Sequence, residues 1–341
     1  MAKRIGVLSG GGDSSAINAT LRAIYLKAAS LGYEVIAIKD GWRGLVEGIS
    51  EKLTRNKISG ILTEGGIIIG TSRTNPFKME GAVEKVKENI KKLGLDAIIA
   101  IGGDDTNGVI TKLTGEIKGV GIPQTIDNDI AHTDFSVGYA TAVELVTDCI
   151  DRLHTTAFSH HRVMVIEVMG RDAGFLALDS GIAGGADIIL IPEVPYDYDD
   201  IMKVVEDRKA NGKDFTIIVV AEGAKAVDGD DQVTKSGKVD NFGHIQLGGI
   251  CEVIAREIEK RGYESRSINL GHLQRGGKAS AYDRIISTRM GMKAVELIEK
   301  GNFGQMVVFK DGKITSVPLE KAINEEKPID MELYEMTKLL H

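Results

Sequence analysis

Residues 4–13 read RIGVLSGGGD, a short apolar run that passes into three glycines and an aspartate. In the segment that follows, residues 16–31, apolar side chains recur at helical spacing, and Ser14 or Ser15 precedes it at a position suited to capping. The spaced apolar positions are Ile17, Leu21, Ile24 and Ala28. The stretch therefore predicts a buried strand, a tight turn and a helix in immediate succession.

The same pattern recurs along the chain. Further short apolar runs, rich in β-branched residues, span 34–38, 97–101, 120–122, 163–168, 188–191, 216–221 and 267–270. Most are followed by a glycine-rich turn and then by a segment with helical spacing. Apolar strands that alternate with helices are typical of parallel sheets covered on both faces, so we predict an α/β fold.

Two other segments carry local signals. Asp311-Gly312 separates the runs 306–310 and 313–317, which predicts a β-hairpin with a type I′ turn. The polar segment 224–241 contains Asp228-Gly229-Asp230-Asp231 and is expected to be a surface excursion without a regular element.

Length and composition narrow the functional classes. A chain of 341 residues is long enough for two domains of ordinary size. Its net charge of −7 argues against a nucleic-acid-binding protein. The two cysteines, Cys149 and Cys251, favour neither a disulfide framework nor a zinc site, and the first apolar run is too short for a signal peptide or a membrane span. We therefore expect a cytoplasmic protein that binds neither nucleic acid nor membrane.

In doubly wound sheets the ligand lies beyond the carboxyl ends of the strands, so the loops at these ends are the candidates for chemistry. The first, residues 9–13, could bring backbone N–H groups to a phosphate, or it could be only a tight turn; it has no P-loop signature. The second, residues 101–106, reads IGGDDT and places two carboxylates where Mg²⁺ and phosphates could bind, unless it is a solvated acidic turn.

The third loop, residues 123–129, reads PQTIDND. With alternating spacing, Asp127 and Asp129 could face one cavity, one as a proton acceptor and the other as a metal ligand. The alternative is that both carboxylates cap turns, a common role of aspartate.

Arginines recur near the ends of later strands. They are Arg162, Arg171 within 167–174 (EVMGRDAG), Arg266, and Arg275 within 270–277 (LGHLQRGG). A single arginine is more often a surface charge, but arginines repeated at strand ends favour phosphate recognition, and Glu222 or His272 could bind sugar hydroxyls.

Taken in order, the motifs GGGD, GGDDT, TIDND, EVMGRDAG and LGHLQRGG resemble those of the phosphofructokinase A family from about residue 4 to residue 340. Segments 70–76 (GTSRTNP) and 242–249 (FGHIQLGG) resemble the branch that includes diphosphate-dependent and mixed-donor enzymes. The resemblance implies two Rossmann-like lobes with mainly parallel sheets and the active site in the cleft between them. The donor lobe would comprise residues 1–140 plus about 274–325, and the sugar-phosphate lobe 141–273 plus about 326–341.

The resemblance also implies a 6-phosphofructokinase, which in glycolysis transfers a phosphoryl group to the 1-hydroxyl of fructose 6-phosphate and gives fructose 1,6-bisphosphate. Asp127 would be the base, Thr125 and Arg171 would stabilise the transferring group, and Asp104 and Asp129 would hold Mg²⁺. The donor would contact Gly12, Arg73, Gly103, Asp105 and Gln124. The sugar phosphate would contact Thr125, Asp127, Met169, Gly170, Arg171, Glu222, His272 and Arg275. Arg162 and Arg266 would complete the site of a neighbouring subunit in a dimer or tetramer.

The donor is predicted from a departure at Asp105, where nucleotide-using members of the family generally carry glycine. A carboxylate about 4 Å from the α-phosphate would cost roughly 4 kcal/mol at an effective dielectric near 20, which disfavours ATP. Diphosphate-dependent members usually add a lysine where this chain has Gln124, and nucleotide-dependent members usually have glycine there. A neutral amide can donate hydrogen bonds to phosphate but cannot neutralise Asp105. Diphosphate is therefore the expected donor, with ATP as the alternative.

Three alternatives remain at this stage. The chain could be a non-catalytic regulatory subunit that binds sugar phosphate, although Asp127, Asp129 and Arg171 are all in place. It could be a dinucleotide-dependent oxidoreductase, but the first loop lacks the full glycine fingerprint. Another phosphosugar, such as sedoheptulose 7-phosphate, could also occupy a site built for fructose 6-phosphate.

Overall fold

The computed structural model describes residues 3–227, 234–239 and 245–339. The strands are β1 (Arg4–Ser9), β2 (Glu34–Ile38), β3 (Ser50–Lys52), β4 (Ala97–Gly102), β5 (Gly119–Pro123), β6 (Val163–Val168), β7 (Ile188–Leu190), β8 (Thr216–Ala221), β9 (Thr234–Val239), β10 (Ile245–Leu247), β11 (Ser265–Asn269), β12 (Gln305–Lys310) and β13 (Lys313–Pro318). The helices are α1 (Ile17–Ser30), α2 (Trp42–Glu47), α3 (Arg55–Ile58), α4 (Ala82–Leu93), α5 (Asp104–Lys112), α6 (Tyr139–His160), α7 (Phe175–Ala183), α8 (Tyr198–Ala210), α9 (Ile250–Lys260), α10 (Ala281–Glu299), α11 (Leu319–Asn324) and α12 (Met331–Thr337). Three short 3₁₀ turns span Ile61–Thr63, Pro76–Lys78 and Gly271–Arg275.

A seven-stranded sheet in the order β13-β12-β5-β4-β1-β2-β3 organises the first lobe. Its five inner strands pair in parallel, and β3 and β13 join antiparallel at the two edges. Ile5 and Val7 of β1 point into a core formed with α1 and α10, whereas Leu8 faces a second core formed with α2, α4, α5 and α11. Both faces of the sheet are buried, as the continuous apolar strands predict.

The second lobe contains a smaller sheet, in which four parallel strands follow the order β11-β6-β8-β7. One face packs against α6, α7 and α12, and the other packs against α8 and α9. The chain crosses between the lobes three times, after β5, after β11 and after α11. The predicted two-lobed α/β fold with mainly parallel sheets is confirmed.

The strand order places the candidate loops at the point in each sheet where successive connections run to opposite sides of the starting strand. In the seven-stranded sheet β1 lies between β2 and β4, so the chain leaves β1 on one side and returns on the other. In the four-stranded sheet β6 has the same relation to β8 and β11. A crevice opens between the loops at such a switch point, because the connecting helices pack on opposite faces of the sheet.

Some local predictions hold and others do not. Asp311 and Gly312 have φ angles of 49° and 75°, so the hairpin has the predicted type I′ geometry. The capping prediction is wrong: α1 begins after Ala16 without a side-chain cap, and the hydroxyls of Ser14 and Ser15 donate instead to the carbonyls of Val137 and Gly276.

The prediction for 224–241 is also wrong in part, because it includes β9, which pairs with β10. Residues 228–233 and 240–241 of that segment, and 242–244 of the motif FGHIQLGG, lie outside the described residues. Among the helices that are described, none combines the length and apolarity needed to cross a membrane.

Candidate active site

A polar cavity lies where the two lobes meet. It is lined by Gly11, Gly12, Gly103, Asp104, Asp105, Thr106, Gln124, Thr125, Ile126, Asp127, Asp129, Arg171 and Arg275. The lining combines the loops after β1, β4 and β5 of the larger sheet with residues that follow β6 and β11 of the smaller one. Ten of the residues that the sequence singles out therefore converge, from segments far apart in the chain.

The loop after β1 is anchored on both sides by backbone hydrogen bonds. The Gly10 N–H donates to the carbonyl of Ile101 at 3.0 Å, and the Gly11 N–H donates to the carbonyl of Ser72 at 3.1 Å. The Thr71 hydroxyl donates back to the Gly11 carbonyl at 2.9 Å. These bonds place Arg73, the next residue after Ser72, close to the glycine loop, although it does not line the cavity.

The loop after β4 presents two carboxylates at a helix N-terminus. Asp104 and Asp105 are the first two residues of α5, where the free N–H groups and the helix dipole favour negative charge. The Asn107 side chain donates to the carbonyls of Gly102 and Gly103 at 2.6 and 3.1 Å, which fixes the turn into the helix. Asp104 is exposed to the cavity and Asp105 is half-buried beside it.

The loop after β5 carries the most constrained residues of the site. The Gln124 N–H donates to the Gly102 carbonyl at 3.0 Å, so this loop is held against the preceding one. The Asp127 N–H donates to the Thr125 hydroxyl oxygen at 3.1 Å. Asn128 has a φ of 55°, and on either side of it Asp127 and Asp129 both line the cavity, as the alternating spacing suggests.

The carboxylates of this cavity shift one another's ionisation. The Asp129 side chain is exposed at the mouth of the cleft, but the protein atoms around it limit its solvation. This loss of solvation, followed by the charges of Asp127 and Asp104, raises the pKa of Asp129 to about 7. Burial, followed by the charge of Asp127, raises the pKa of Glu222 to about 6. The positive charge of Arg171 opposes both shifts but does not cancel them. Carboxylates therefore crowd this cavity, and a bound cation would reduce their mutual repulsion.

The donor set fits Mg²⁺ better than a metal caged entirely by protein. Among the residues that the structure describes, no three His, Cys, Asp or Glu side chains come together to hold a metal ion. One carboxylate oxygen of Asp127, Oδ1, is buried without a hydrogen-bond partner. Mg²⁺ commonly binds one or two carboxylates and completes its shell with water and substrate phosphates, and Asp104 and Asp129 both line the cavity where such a site would lie.

Arg171 projects from the loop after β6, whose backbone is unusual. Gly170 has a φ of 140°, and a Cβ there would lie 2.5 Å from the carbonyl oxygen of Ala173, so only glycine fits. Arg171 itself has a φ of 52°, and its N–H donates to Glu222 Oε1 at 3.3 Å. The cavity lining does not include Met169, Gly170 or Glu222. They lie next to it, because Met169 and Gly170 directly precede Arg171 and Glu222 accepts its N–H.

Arg275 is almost fully buried in the cleft. It is 8% exposed, its Nε has no hydrogen-bond partner, and its guanidinium group lies against Gly12 of the first loop. His272, three residues earlier, is exposed and does not line the cavity.

Two predicted residues lie away from the cavity of this chain. Arg162 and Arg266 both pair with Glu264, with shortest N···O distances of 2.6 and 2.9 Å, and Arg266 is exposed. The hydrogen bond with Arg162 is the largest of the effects that lower the pKa of Glu264. Arg266 also pairs with Glu259 at 3.5 Å, so the two arginines form a separate ion-pair cluster with two carboxylates.

Sequence reasoning missed the residues that support the site from behind. The Gln274 side chain is buried; it accepts from the Met169 N–H at 3.2 Å and donates to the Gly271 carbonyl at 2.9 Å. Glu167 is buried and accepts from the N–H groups of Gly249 and Cys251. Gln274 stands inside the motif LGHLQRGG, but no local signal distinguishes these supporting residues from ordinary polar ones.

Cavity volume does not locate the site. A larger cavity, of about 530 Å³, lies between β7, α8 and α12, with Asp187, Tyr196, Asp200 and Tyr334 in its wall. None of the residues that the sequence predicts for the site lines it. The convergence of charge and glycine loops identifies the cleft between the lobes instead.

Two α/β lobes that bring glycine loops, arginines and carboxylates to a shared cleft are the architecture of a phosphoryl-transfer enzyme. The family model described as Phosphofructokinase matches residues 4–298. The chain belongs to the phosphofructokinase family.

Relatives of known name agree with this assignment. The chain is 48% identical over 335 residues to the pyrophosphate–fructose 6-phosphate 1-phosphotransferase of Amycolatopsis methanolica, covering 97% of this chain and 98% of the relative. It is 46% identical over 346 residues to the ATP-dependent 6-phosphofructokinase 2 of Clostridium perfringens, covering 97% and 94% of the two chains.

Solved structures are similar as well. The phosphofructokinase of Saccharomyces cerevisiae superposes with a TM-score of 0.81 at 31% identity, over 94% of this chain and 45% of the yeast chain. A pyrophosphate-dependent phosphofructokinase from Nitrosospira multiformis superposes with a TM-score of 0.84 at 23% identity, over 97% and 86% of the chains, which shows the shared fold.

Proposed function

We propose that this chain is a diphosphate-dependent 6-phosphofructokinase, which transfers a phosphoryl group from diphosphate to the 1-hydroxyl of fructose 6-phosphate and forms fructose 1,6-bisphosphate and phosphate. The observation that carries the choice of donor is Asp105, a second carboxylate that lines the cavity at the start of α5. Four relatives named for diphosphate are 46 to 48% identical to this chain and four named for ATP are 43 to 46% identical, so sequence identity by itself does not separate the two donors. Asp105 supports diphosphate because its charge opposes the α-phosphate of a nucleotide.

Asp127 is the proposed base. Its carboxylate is buried at the cleft with one oxygen free of protein hydrogen bonds, so it can accept the proton of the 1-hydroxyl. The alkoxide oxygen then forms a bond to the transferred phosphorus as the bond to the leaving phosphate breaks. Thr125 and Arg171 stabilise the charge on the transferred group, and Mg²⁺, held by Asp104 and Asp129, supplies further charge neutralisation when it is bound.

Each substrate has its own side of the cleft in this proposal. Residues 1–140 plus about 274–325 form the donor lobe, where Gly12, Arg73, Gly103, Asp105 and Gln124 contact diphosphate. Residues 141–273 plus about 326–341 form the sugar-phosphate lobe, where Met169, Gly170, Glu222 and His272 contact fructose 6-phosphate. Arg275, at the start of the second donor-lobe segment, contacts fructose 6-phosphate from the other side of the cleft. The Arg275 guanidinium group lies against Gly12, which supports the idea that it lies between the two bound substrates.

The functional unit is proposed to be a homo-oligomer, a dimer or a tetramer. Arg162 and Arg266 do not line the cavity of their own chain, which supports a role in the site of a neighbouring subunit. The two cysteines, Cys149 and Cys251, are free thiols, which is in keeping with the proposed cytoplasmic location and a role in glycolysis.

The decisive experiment compares fructose 1,6-bisphosphate formation with diphosphate and with ATP, in the presence of Mg²⁺, for the wild type, Asp105→Gly and Asp105→Asn. We expect the wild type to prefer diphosphate and both variants to gain about 10- to 100-fold in relative use of ATP, because a repulsive charge is removed. A gain in Asp105→Gly alone would assign the discrimination to the size of the side chain.

Other outcomes contradict parts of the proposal. A wild type that uses only ATP would assign the nucleotide as donor and leave the phosphofructokinase activity in place. Transfer to sedoheptulose 7-phosphate in preference to fructose 6-phosphate would change the acceptor. Calorimetric binding of fructose 6-phosphate without turnover on either donor would indicate a non-catalytic regulatory subunit.

A further inference from the structure

A short segment near the end of the chain, residues 325–327, packs against the loop that carries Asp127 and Asp129. After α11 ends at Asn324, Glu326 forms an isolated antiparallel bridge with Ile130. Glu325 Oε2 lies 2.6 Å from His132 Nε2. Lys327 Nζ donates to the Asn128 carbonyl oxygen at 2.8 Å. Three successive residues, 325–327, therefore contact the segment 127–132, which carries Asp127 and Asp129 and is called the catalytic loop below.

Lys327 contacts both lobes at once. The Asn128 carbonyl belongs to the loop after β5 of the larger sheet, whereas the Phe175 ring, whose centroid lies 4.7 Å from Nζ, begins α7 of the smaller lobe. A cation over an aromatic face and a charge-assisted hydrogen bond are both directional contacts. One ammonium group thus joins the catalytic loop to the opposite lobe.

The hydrogen bond from Lys327 goes to a residue with an unusual backbone conformation. Asn128 has a φ of 55°, in the left-handed region, which asparagine adopts more readily than most other non-glycine residues. Its side-chain Nδ2 reaches the Asp134 carbonyl at 3.3 Å, and its buried Oδ1 has no hydrogen-bond partner. The bond from Lys327 is shorter and carries a charge. Because Asn128 separates Asp127 from Asp129, its conformation decides whether both carboxylates face the cavity.

The surroundings of Lys327 are charged on several sides. Loss of water is the main cause that lowers its pKa to about 8, while the carboxylates of Asp134, Asp129 and Asp179 act in the opposite direction. Asp134 in turn pairs with the exposed Lys310 at 3.0 Å. Lys310 therefore belongs to the same charge cluster but makes no contact with the loop backbone, and it offers a matched control.

We propose that Lys327 is a positioning residue of the transfer reaction, whose ammonium group holds the Asn128 carbonyl against α7 and so keeps Asp127 and Asp129 directed into the cleft. The inference rests on the proposed function, because it assigns Asp127 and Asp129 their roles. It extends that function to a residue that does not touch the cavity and that no motif identifies.

The test compares Lys327→Met, Lys327→Arg and Lys310→Met with the wild type in steady-state kinetics and thermal unfolding. For Lys327→Met we expect kcat to fall about 10- to 100-fold, because misplacement of catalytic groups by about 1 Å has effects of this size. KM for both substrates should change by less than about threefold, because no substrate contact is removed. Lys327→Arg should recover part of kcat, and Lys310→Met should behave as the wild type.

The melting temperature separates positioning from simple stabilisation. Removing one partner from a buried charge cluster usually lowers stability, because the neighbouring carboxylates and the Asn128 carbonyl lose their counter-charge. Lys327→Met should therefore melt below the wild type, whereas Lys327→Arg, which keeps the charge, should melt close to it. A kcat within about twofold of wild type would overturn the proposal. The proposal would also be overturned if kcat and the melting temperature both decreased, in parallel, in Lys327→Met and in Lys327→Arg.

A crystal structure of Lys327→Met gives a readout that does not depend on activity. The proposal expects Asn128 to leave the left-handed region and the 127–129 segment to shift, whereas an unchanged loop overturns it. If the wild type transfers no phosphoryl group from either donor, the proposed function fails by itself, and this structure still decides whether Lys327 positions the loop.

Discussion

The guanidinium group of Arg275 lies against Gly12, so that a methyl group added at Gly12 would come within 1.4 Å of Arg275 Nη1. Gly12 belongs to the loop after β1 and Arg275 to the turn after β11, 263 positions later, yet the two loops share one wall of the cavity. Arg275 Nε makes no hydrogen bond. Packing against the glycine, together with the walls of the cleft, therefore determines where this arginine lies.

The first prediction concerns Gly12→Ala. The new methyl group must displace the Arg275 guanidinium, so we expect kcat/KM to fall about 10- to 100-fold through misplacement of a cationic group. Gly108→Ala is the matched control. Gly108 lies inside α5, and a Cβ atom there would contact only Ile323, at 3.8 Å. That control should keep full activity and gain roughly 0.5–1 kcal/mol in helix stability. Equal kinetics for the two variants would contradict the role of the contact.

The second prediction concerns the proposed base. Asp127→Asn keeps the shape of the side chain and removes its charge, so kcat should fall about 10²- to 10⁴-fold while the affinity for fructose 6-phosphate stays close to that of the wild type. Asp148→Asn, on the exposed face of α6 where Asp148 pairs with Arg152, serves as the control for loss of one carboxylate. Turnover retained in Asp127→Asn would remove Asp127 from the proton-transfer step.

The third prediction uses the pKa of Glu222, which burial and the charge of Asp127 raise to about 6 from an ordinary value of 4.5. Between these two pH values the native state holds a proton that the unfolded state has released, so this group makes the protein less stable as pH rises. Glu222→Gln removes the effect. The free energy of unfolding of the variant, relative to wild type, should increase by up to about 2 kcal/mol between pH 4.5 and 7.

Urea denaturation at several pH values, without added Mg²⁺, measures this difference. The relative stability should level off above the folded-state pKa, because both states of the wild type are then ionised at Glu222. A difference that does not depend on pH would show that Glu222 ionises normally in the folded protein. The Gln side chain can still accept from the Arg171 N–H, so the loop after β6 should keep its conformation.

The fourth prediction tests the shared site of the proposed oligomer. Asp127→Asn and Arg162→Ala should each be nearly inactive, but a mixture that exchanges subunits should regain activity, because some sites then combine an intact Asp127 with an intact neighbouring Arg162. For random exchange in a dimer, roughly a quarter of wild-type activity is expected. A mixture that stays inactive although mass spectrometry shows mixed oligomers would place Arg162 outside the neighbouring site.

Much of the fold could be predicted from local sequence. The strand predictions hold because apolar, β-branched runs bounded by glycine turns have few other ways to bury their side chains. The hairpin at Asp311 and Gly312 also follows from local conformational preferences alone. The capping prediction at Ser14 and Ser15 is wrong because both hydroxyls find partners more than a hundred positions away, at Val137 and Gly276.

The sequence alone pointed to ten of the residues that line the cavity, since the glycine, aspartate and arginine motifs follow strands whose carboxyl ends must lie at one edge of a sheet. Tertiary structure alone decided which of them meet: Arg275 joins Gly12, Arg162 and Arg266 gather on Glu264, and Lys327 supports Asn128. Local preferences act over a few residues, whereas these contacts depend on how the lobes pack and where the chain crosses between them. The spacing of residues along the sequence therefore does not reveal these contacts.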